Sequence, residues 1–167
     1  MGSATNYEDV AVKALIHQFK YNYIKEIALT LGEFLIIFWE KTTKTINENW
    51  KDYIIIPVPL HKNKFCERGF NQSEEIAKVF ATQFNLKIFN NVLVRKVNNP
   101  PQAQIESYEQ RYKNIENIFS ITNPDLIYKQ KVILVDDVFT SGATLQEAAK
   151  VLKNNGAAKI IGLTVAR

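Results

Sequence analysis

Asp136 and Asp137, followed closely by Thr140-Ser141-Gly142-Ala143-Thr144, are the residues whose types and spacing point most directly to chemistry. Two adjacent carboxylates repel each other unless cations or hydroxyl donors meet them. A ribose ring carries two neighbouring hydroxyls, which suits such a pair. In the turn of small residues that follows, Gly142 lets the backbone approach a ligand closely. Successive amides opening a helix make an anion site, and the hydroxyls of Thr140, Ser141 and Thr144 add donors. Acids for a diol beside a cradle for a phosphate describe a ribose 5-phosphate group. Taken singly, paired acids before a turn are ordinarily solvated, and Ser or Thr before a helix is ordinarily a cap. Joined in this order behind a buried strand, they point to a ligand.

The elements that must position them follow from hydrophobic pattern. Residues 131–135 form a continuous apolar run, as in a strand covered on both faces. Side chains alternate along a strand, but at its end both acids can turn to the rim. A helix is expected over residues 144–154, stopped by Asn155-Gly156, and a second apolar strand over 159–166. This βαβ unit calls for a parallel sheet with helices on its faces, beyond whose carboxyl strand ends ligands bind. The fold class expected is α/β, three-layered, with a mostly parallel sheet. Upstream, helices are expected over residues 6–21, with Tyr7, Val10, Ala14, Leu15 and Phe19 inward, and over 25–45. A buried strand at 54–59 leads into a basic loop, 60–69, and Asn71 or Ser73 caps a helix that ends near Phe84. Strand-like alternation over 86–95 precedes a polar stretch over 96–114, either a mobile loop or a loop with a short helix around residues 107–113. A strand is expected at 115–121, with a turn at Asn123-Pro124-Asp125.

Composition bounds the reading. The 167 residues suit a single domain over residues 1–167, burying roughly 70% of the unfolded chain's surface. Met1-Gly2-Ser3 reads as a leader left by cloning, so residues 1–5 receive no structural weight. Cys66 is the one cysteine, which rules out an internal disulfide and a multi-cysteine zinc site. No signal peptide or membrane span is visible, since the apolar run over 31–39 is short and holds Glu33; a cytoplasmic protein is expected. The net charge of +4 fits phosphorylated metabolites and nucleic acid alike. No GxGxxG or GxxxxGK pattern occurs, against dinucleotide and P-loop sites.

The run Val132-Ile133-Leu134-Val135-Asp136-Asp137-Val138-Phe139-Thr140-Ser141-Gly142-Ala143-Thr144 resembles the phosphoribosyl-pyrophosphate (PRPP) signature of type I phosphoribosyltransferases. A second block, Pro57-Val58-Pro59-Leu60-His61 with Arg68-Gly69-Phe70-Asn71-Gln72-Ser73, is similar to the competence-protein ComF family, as is Pro100-Pro101-Gln102 with Arg111 and Asn114. The resemblance implies that Asp136 and Asp137 meet the ribose hydroxyls and that residues 138–144 (Val138, Phe139, Thr140, Ser141, Gly142, Ala143 and Thr144) hold the 5-phosphate. It makes Pro59-Leu60-His61-Lys62 the pyrophosphate loop and residues 96–114 a flexible loop over the site. The amino-terminal zinc ribbon that family members often carry is lacking in this sequence.

The implied reaction is displacement at the anomeric carbon with loss of pyrophosphate, with Mg²⁺ held mainly by PRPP and not by protein side chains. Lys62, Lys64 and Arg68 are the candidate cations for the departing charge, with Arg111 behind them; Lys62 and Arg68 join the two acids as catalytic candidates. His61 sits where it could touch ligand, whereas His17 reads as packed on a helix. Phe65 and Phe70 read as loop anchors, and Cys66 lacks a histidine partner for nucleophilic work. Two functions stay open: a transferase with an unknown small-molecule acceptor, and a non-catalytic module that binds PRPP or handles single-stranded DNA in competence. Oligomeric state is not legible.

Overall fold

The computed structural model describes residues 1–22, 24–97 and 117–167. Most of the expected 96–114 loop, with Arg111, Asn114 and the Pro100-Pro101-Gln102 run, lies outside these residues.

The apolar run is the central strand β6 (Lys131–Val138). Val132, Ile133, Leu134 and Val135 are all fully buried, so both of its faces are covered. It pairs in parallel with β2 (Tyr53–Pro57) on one side and β7 (Lys159–Ala166) on the other. With β1 (Gly2–Thr5) and β3 (Lys87–Ile88) at the edges, the order is β1-β7-β6-β2-β3, parallel throughout. Residues 2–5, given no structural weight in the sequence, thus form an edge strand. Gly2 and Thr5 are in register with Leu163 and Ala166, and Thr5 Oγ1 donates to Val165 O at 2.7 Å.

Alternation along the strands divides the core. One face, with Ile55, Ile133, Val135 and Leu163, is covered by α1 (Val10–Tyr21), α2 (Ile27–Thr43) and α4 (Gln72–Phe84). The other, with Ile54, Ile56, Val132 and Leu134, is covered by α5 (Ala143–Asn154) and by the antiparallel pair β4 (Leu93–Arg95) and β5 (Phe119–Ile121). The result is the three-layer α/β architecture the sequence called for.

Local departures from expectation have local causes. α1 starts at Val10 because Asp9 caps it, accepting from the amides of Ala11 and Val12. Val12, Ile16 and Phe19 face inward, while Val10 is 84% exposed. The basic stretch is a helix, α3 (Lys62–Arg68), not a loop: His61 Nδ1 accepts from Asn63 N, and Gly69 ends it at φ 74°. Asn71 precedes α4 but donates its side chain to Val58 O at 3.0 Å instead of capping, and Ser73 lies inside the helix. The alternating stretch at 86–95 is divided between β3 and β4, which belong to different sheets.

Two features set the poles of the sheet. Toward the carboxyl ends, β2 stops pairing at Pro57, opposite Val135, while β6 continues alongside β7 to Val138. The chain leaves β2 for α3 and α4 on one face and leaves β6 for α5 on the other. A crevice opens where the two connections part. At the opposite pole, Glu48 accepts from Tyr53 Oη at 2.7 Å and from Lys159 Nζ at 2.6 Å, with Lys131 Nζ at 3.4 Å. The Lys159 and Tyr53 hydrogen bonds draw its carboxyl down to about 2.

Candidate functional site

The crevice is a cleft of about 240 Å³ between the ends of β2 and β6. Its floor is Val58, Pro59 and Leu60 after β2, and Asp136, Asp137 and Val138 at the end of β6. Both acids lie within the strand, because β7 keeps pairing beside them: Asp136 is opposite Thr164 and Val138 opposite Ala166. Each acid is held from a different element. Asp136 Oδ1 accepts from Ser73 Oγ at 2.8 Å, in the first turn of α4, and from the amide of Asp137 at 3.0 Å. Asp137 Oδ2 pairs with Lys20 Nζ at 2.8 Å, in the last turn of α1. Burial and the charge of Asp137 push the Asp136 carboxyl up to about 7, against the hydrogen bond from Ser73 and the charge of Lys20.

The turn beyond the strand also faces the cleft, through Thr140 and Thr144. Gly142 stands at φ 77° as the residue before α5. That left-handed backbone strains any other residue, and a Cβ there would also press on Phe139 Cζ at 2.5 Å. Phe139 gives its amide to Ala166 O at 2.8 Å, and Ser141 Oγ accepts from Ala143 N at 3.4 Å. Phe139, Ser141, Gly142 and Ala143 therefore shape the bend and do not line the cleft.

Four cations line the cleft against the two acids: Lys20 from α1, Lys64 and Arg68 from α3, and Arg95 from β4. Burial lowers Lys64 from its ordinary value, and the neighbouring charges of Arg95 and Arg68 add to this. Burial likewise lowers Arg95, with Asp136 opposing. Arg68 Nη1 donates to Gln72 Oε1 at 3.0 Å and its guanidinium lies 5.6 Å from the Tyr21 ring centre. A cleft with more positive than negative groups, partly withdrawn from water, favours a polyanion.

The sequence and the structure agree unevenly on individual residues. Asp136, Asp137, Val138, Thr140, Thr144, Leu60, Lys64 and Arg68 come together in the cleft. Lys62 is exposed on α3 outside it, and His61 is buried as the cap of that helix. His17 is not packed away: it is exposed, lies 4.8 Å from the Tyr21 ring and lines the cleft. Phe70 is a buried anchor against Phe19, whereas Phe65 is 46% exposed. Cys66 is a free, exposed thiol. Lys20, Tyr21 and Arg95 were not singled out in the sequence, Tyr7 only for the inward face of the first helix, Gln72 only within the 68–73 block, and Ser73 only there and as a helix cap. For Ser73 the available signal was its place in the 68–73 block at the start of α4.

Residues 38–167 match the phosphoribosyl transferase domain. The chain belongs to that family. Among curated relatives of this phosphoribosyl transferase domain, the DNA utilization protein YhgH of Escherichia coli (strain K12) is 30% identical over 87% of the chain. Competence protein F of Haemophilus influenzae is 30% identical over 87% of it, and competence protein ComFC of Bacillus subtilis 30% over 99%. The chain spans 63% of the length of each of these relatives. Among solved structures, the B. subtilis glutamine PRPP amidotransferase complexed with ADP and GMP superposes with a TM-score of 0.50 at 15% identity, covering 82% of this chain and 25% of that one. An allosteric regulatory enzyme of purine biosynthesis gives 0.51 at 16%, over the same shares. These two share the fold of the phosphoribosyl transferase domain.

Proposed function

We propose that the cleft binds PRPP and that the domain transfers its phosphoribosyl group to a small-molecule acceptor, releasing pyrophosphate. The observation that carries this reading is the meeting of Asp136, Asp137, Thr140 and Thr144 with four cations in one crevice at the end of β6. Asp136 and Asp137 accept from the ribose hydroxyls. The 5-phosphate lies where the bend faces the cleft, at Val138, Thr140 and Thr144. Lys64, Arg68 and Arg95 face the pyrophosphate beside Leu60, and Lys62 stays at the outer rim. The acceptor's lone pair forms a bond to the anomeric carbon as the bond to the pyrophosphate oxygen breaks. The electron pair leaves with pyrophosphate, where the cations offset the growing charge.

Among the described residues, no group of three or more His, Cys, Asp or Glu side chains could hold a metal ion. Mg²⁺ would arrive on the oxygens of PRPP, where it supplies charge neutralisation. A phosphorylated metabolite as ligand and a single free cysteine fit a cytoplasmic protein. Among the described residues no helix is long and apolar enough to cross a membrane.

The test is calorimetry with Mg²⁺ and PRPP. The wild type binds, and Asp136→Ala with Asp137→Ala removes binding while circular dichroism stays unchanged; equal affinity in the double variant rejects the site. Pyrophosphate release with pooled bases and amines, above that variant's level, supports transfer. A second reading, a non-catalytic module that binds PRPP or single-stranded DNA, is favoured by the names of the relatives and by exposed Tyr21 and Phe65 beside Arg68 and Lys62. Salt-sensitive oligonucleotide binding without pyrophosphate release would select it.

A further inference from the structure

We propose that Lys20 is the positioning residue of the acidic pair, holding Asp137 turned into the cleft so that both carboxylates can accept from one ligand. The proposal rests on the sugar-phosphate reading of the cleft and adds to it a residue from outside the motif.

The geometry comes first. Lys20 Nζ lies 2.8 Å from Asp137 Oδ2, with the two side chains only 21% and 12% exposed. Among the described residues it is the one cation in ion-pair distance of either acid. Its place is fixed by its neighbours, since Phe19 is fully buried against Phe70 and Tyr21 lies under Arg68.

The electrostatic need comes second. Successive carboxylates near one cleft share a proton unless something stabilises the doubly charged form. The groups lining the cleft with them are Lys20, His17 and Tyr21 from α1, Tyr7 before it, Arg68 and Lys64 from α3, Ser73 from α4 and Arg95 from β4. Arg95 feels the charge of Asp136, and Arg68 opposes the protonation of Lys20. Burial works against the charge of Lys20, yet the charge and hydrogen bond of Asp137 hold it above its ordinary value. An ion pair so withdrawn from water adds little to folding compared with apolar side chains of equal size. Its use lies in what it does to Asp137.

Lys20→Met removes the cation and keeps the chain length, and Lys20→Arg keeps the charge. Ribose 5-phosphate binding is measured by calorimetry from about pH 6 to about pH 9, and the aspartate carboxyl carbons are followed by NMR over the same range. In Lys20→Met, affinity near pH 7 is expected to fall about tenfold, with the deficit shrinking at high pH. The Asp136 carboxyl, which Lys20 draws down, should titrate about one unit or more higher, and Lys20→Arg should restore both. Superimposable pH profiles and carboxyl titrations in wild type and Lys20→Met would overturn the proposal. If Lys20→Met does not fold, Lys20→Gln is read by the same criteria. If the wild type binds neither ribose 5-phosphate nor PRPP, the proposed function fails. The carboxyl titration still decides on Lys20 in that event.

Discussion

A carboxylate that accepts from a diol works best in its charged form, and Asp136 sits close to the limit of that condition. Burial, then the charge of Asp137, raises it from an ordinary value of 3.8 to about 7. Between those values the folded chain holds a proton that the unfolded chain has lost. The contribution of this group to folding is therefore full at low pH and declines as pH rises through the window. Ligand affinity should climb over the same range. The Ser73 hydroxyl works against the shift from 2.8 Å. Ser73→Ala should therefore displace the pH profile of ribose 5-phosphate binding upward and weaken binding several-fold, roughly 3- to 10-fold, near pH 7. A calorimetric profile that does not move would refute this role. The acids and the small-residue turn were legible because their partners in the reading are neighbours in the chain. Lys20, Ser73 and Arg95 were not, since only the folded sheet brings α1, α4 and β4 to the end of β6.

Element by element, legibility followed the length of the apolar signal. β6, α5 and β7 stand out in the sequence because a continuous run, an Asn-Gly stop and a second run follow one another. Of the inward face expected for α1, Phe19 is buried and Tyr7 and Leu15 pack against the core, whereas Val10 and Ala14 are exposed, and Tyr7 lies before the helix with its amide bonded to Arg167 O. α3 was hidden because a histidine is an unusual cap and the helix buries none of its residues. Packing between α2 and α4 was also invisible, although it depends on Gly32. A Cβ there would lie 2.5 Å from Val79 Cγ1, and a β-branched side chain within a helix has little freedom to yield. Gly32→Ala should push α2 from α4 and cost about 1–3 kcal/mol despite alanine's better helix propensity. Urea unfolding measures it; an unchanged or raised midpoint would contradict the packing described.

Across the whole molecule, we infer that residues 1–167 act as one folding unit, because the first strand closes the edge beside the last. Deleting residues 2–5 would expose the β7 edge from Leu163 to Ala166 and leave Val165 O without its hydroxyl partner. The truncated chain should melt several degrees lower, about 4 °C or more, and associate more readily; scanning calorimetry and light scattering read both, and identical behaviour would reject the inference. The Glu48 cluster has a different consequence. It latches the amino ends of β6 and β7, and the tyrosine that opens β2, to one carboxylate at the far pole from the acids. Rigidity is thus anchored at one end of the strands while the chemistry occupies the other. Changes of ligand preference can accumulate around the rim without loosening the base from which that rim is suspended.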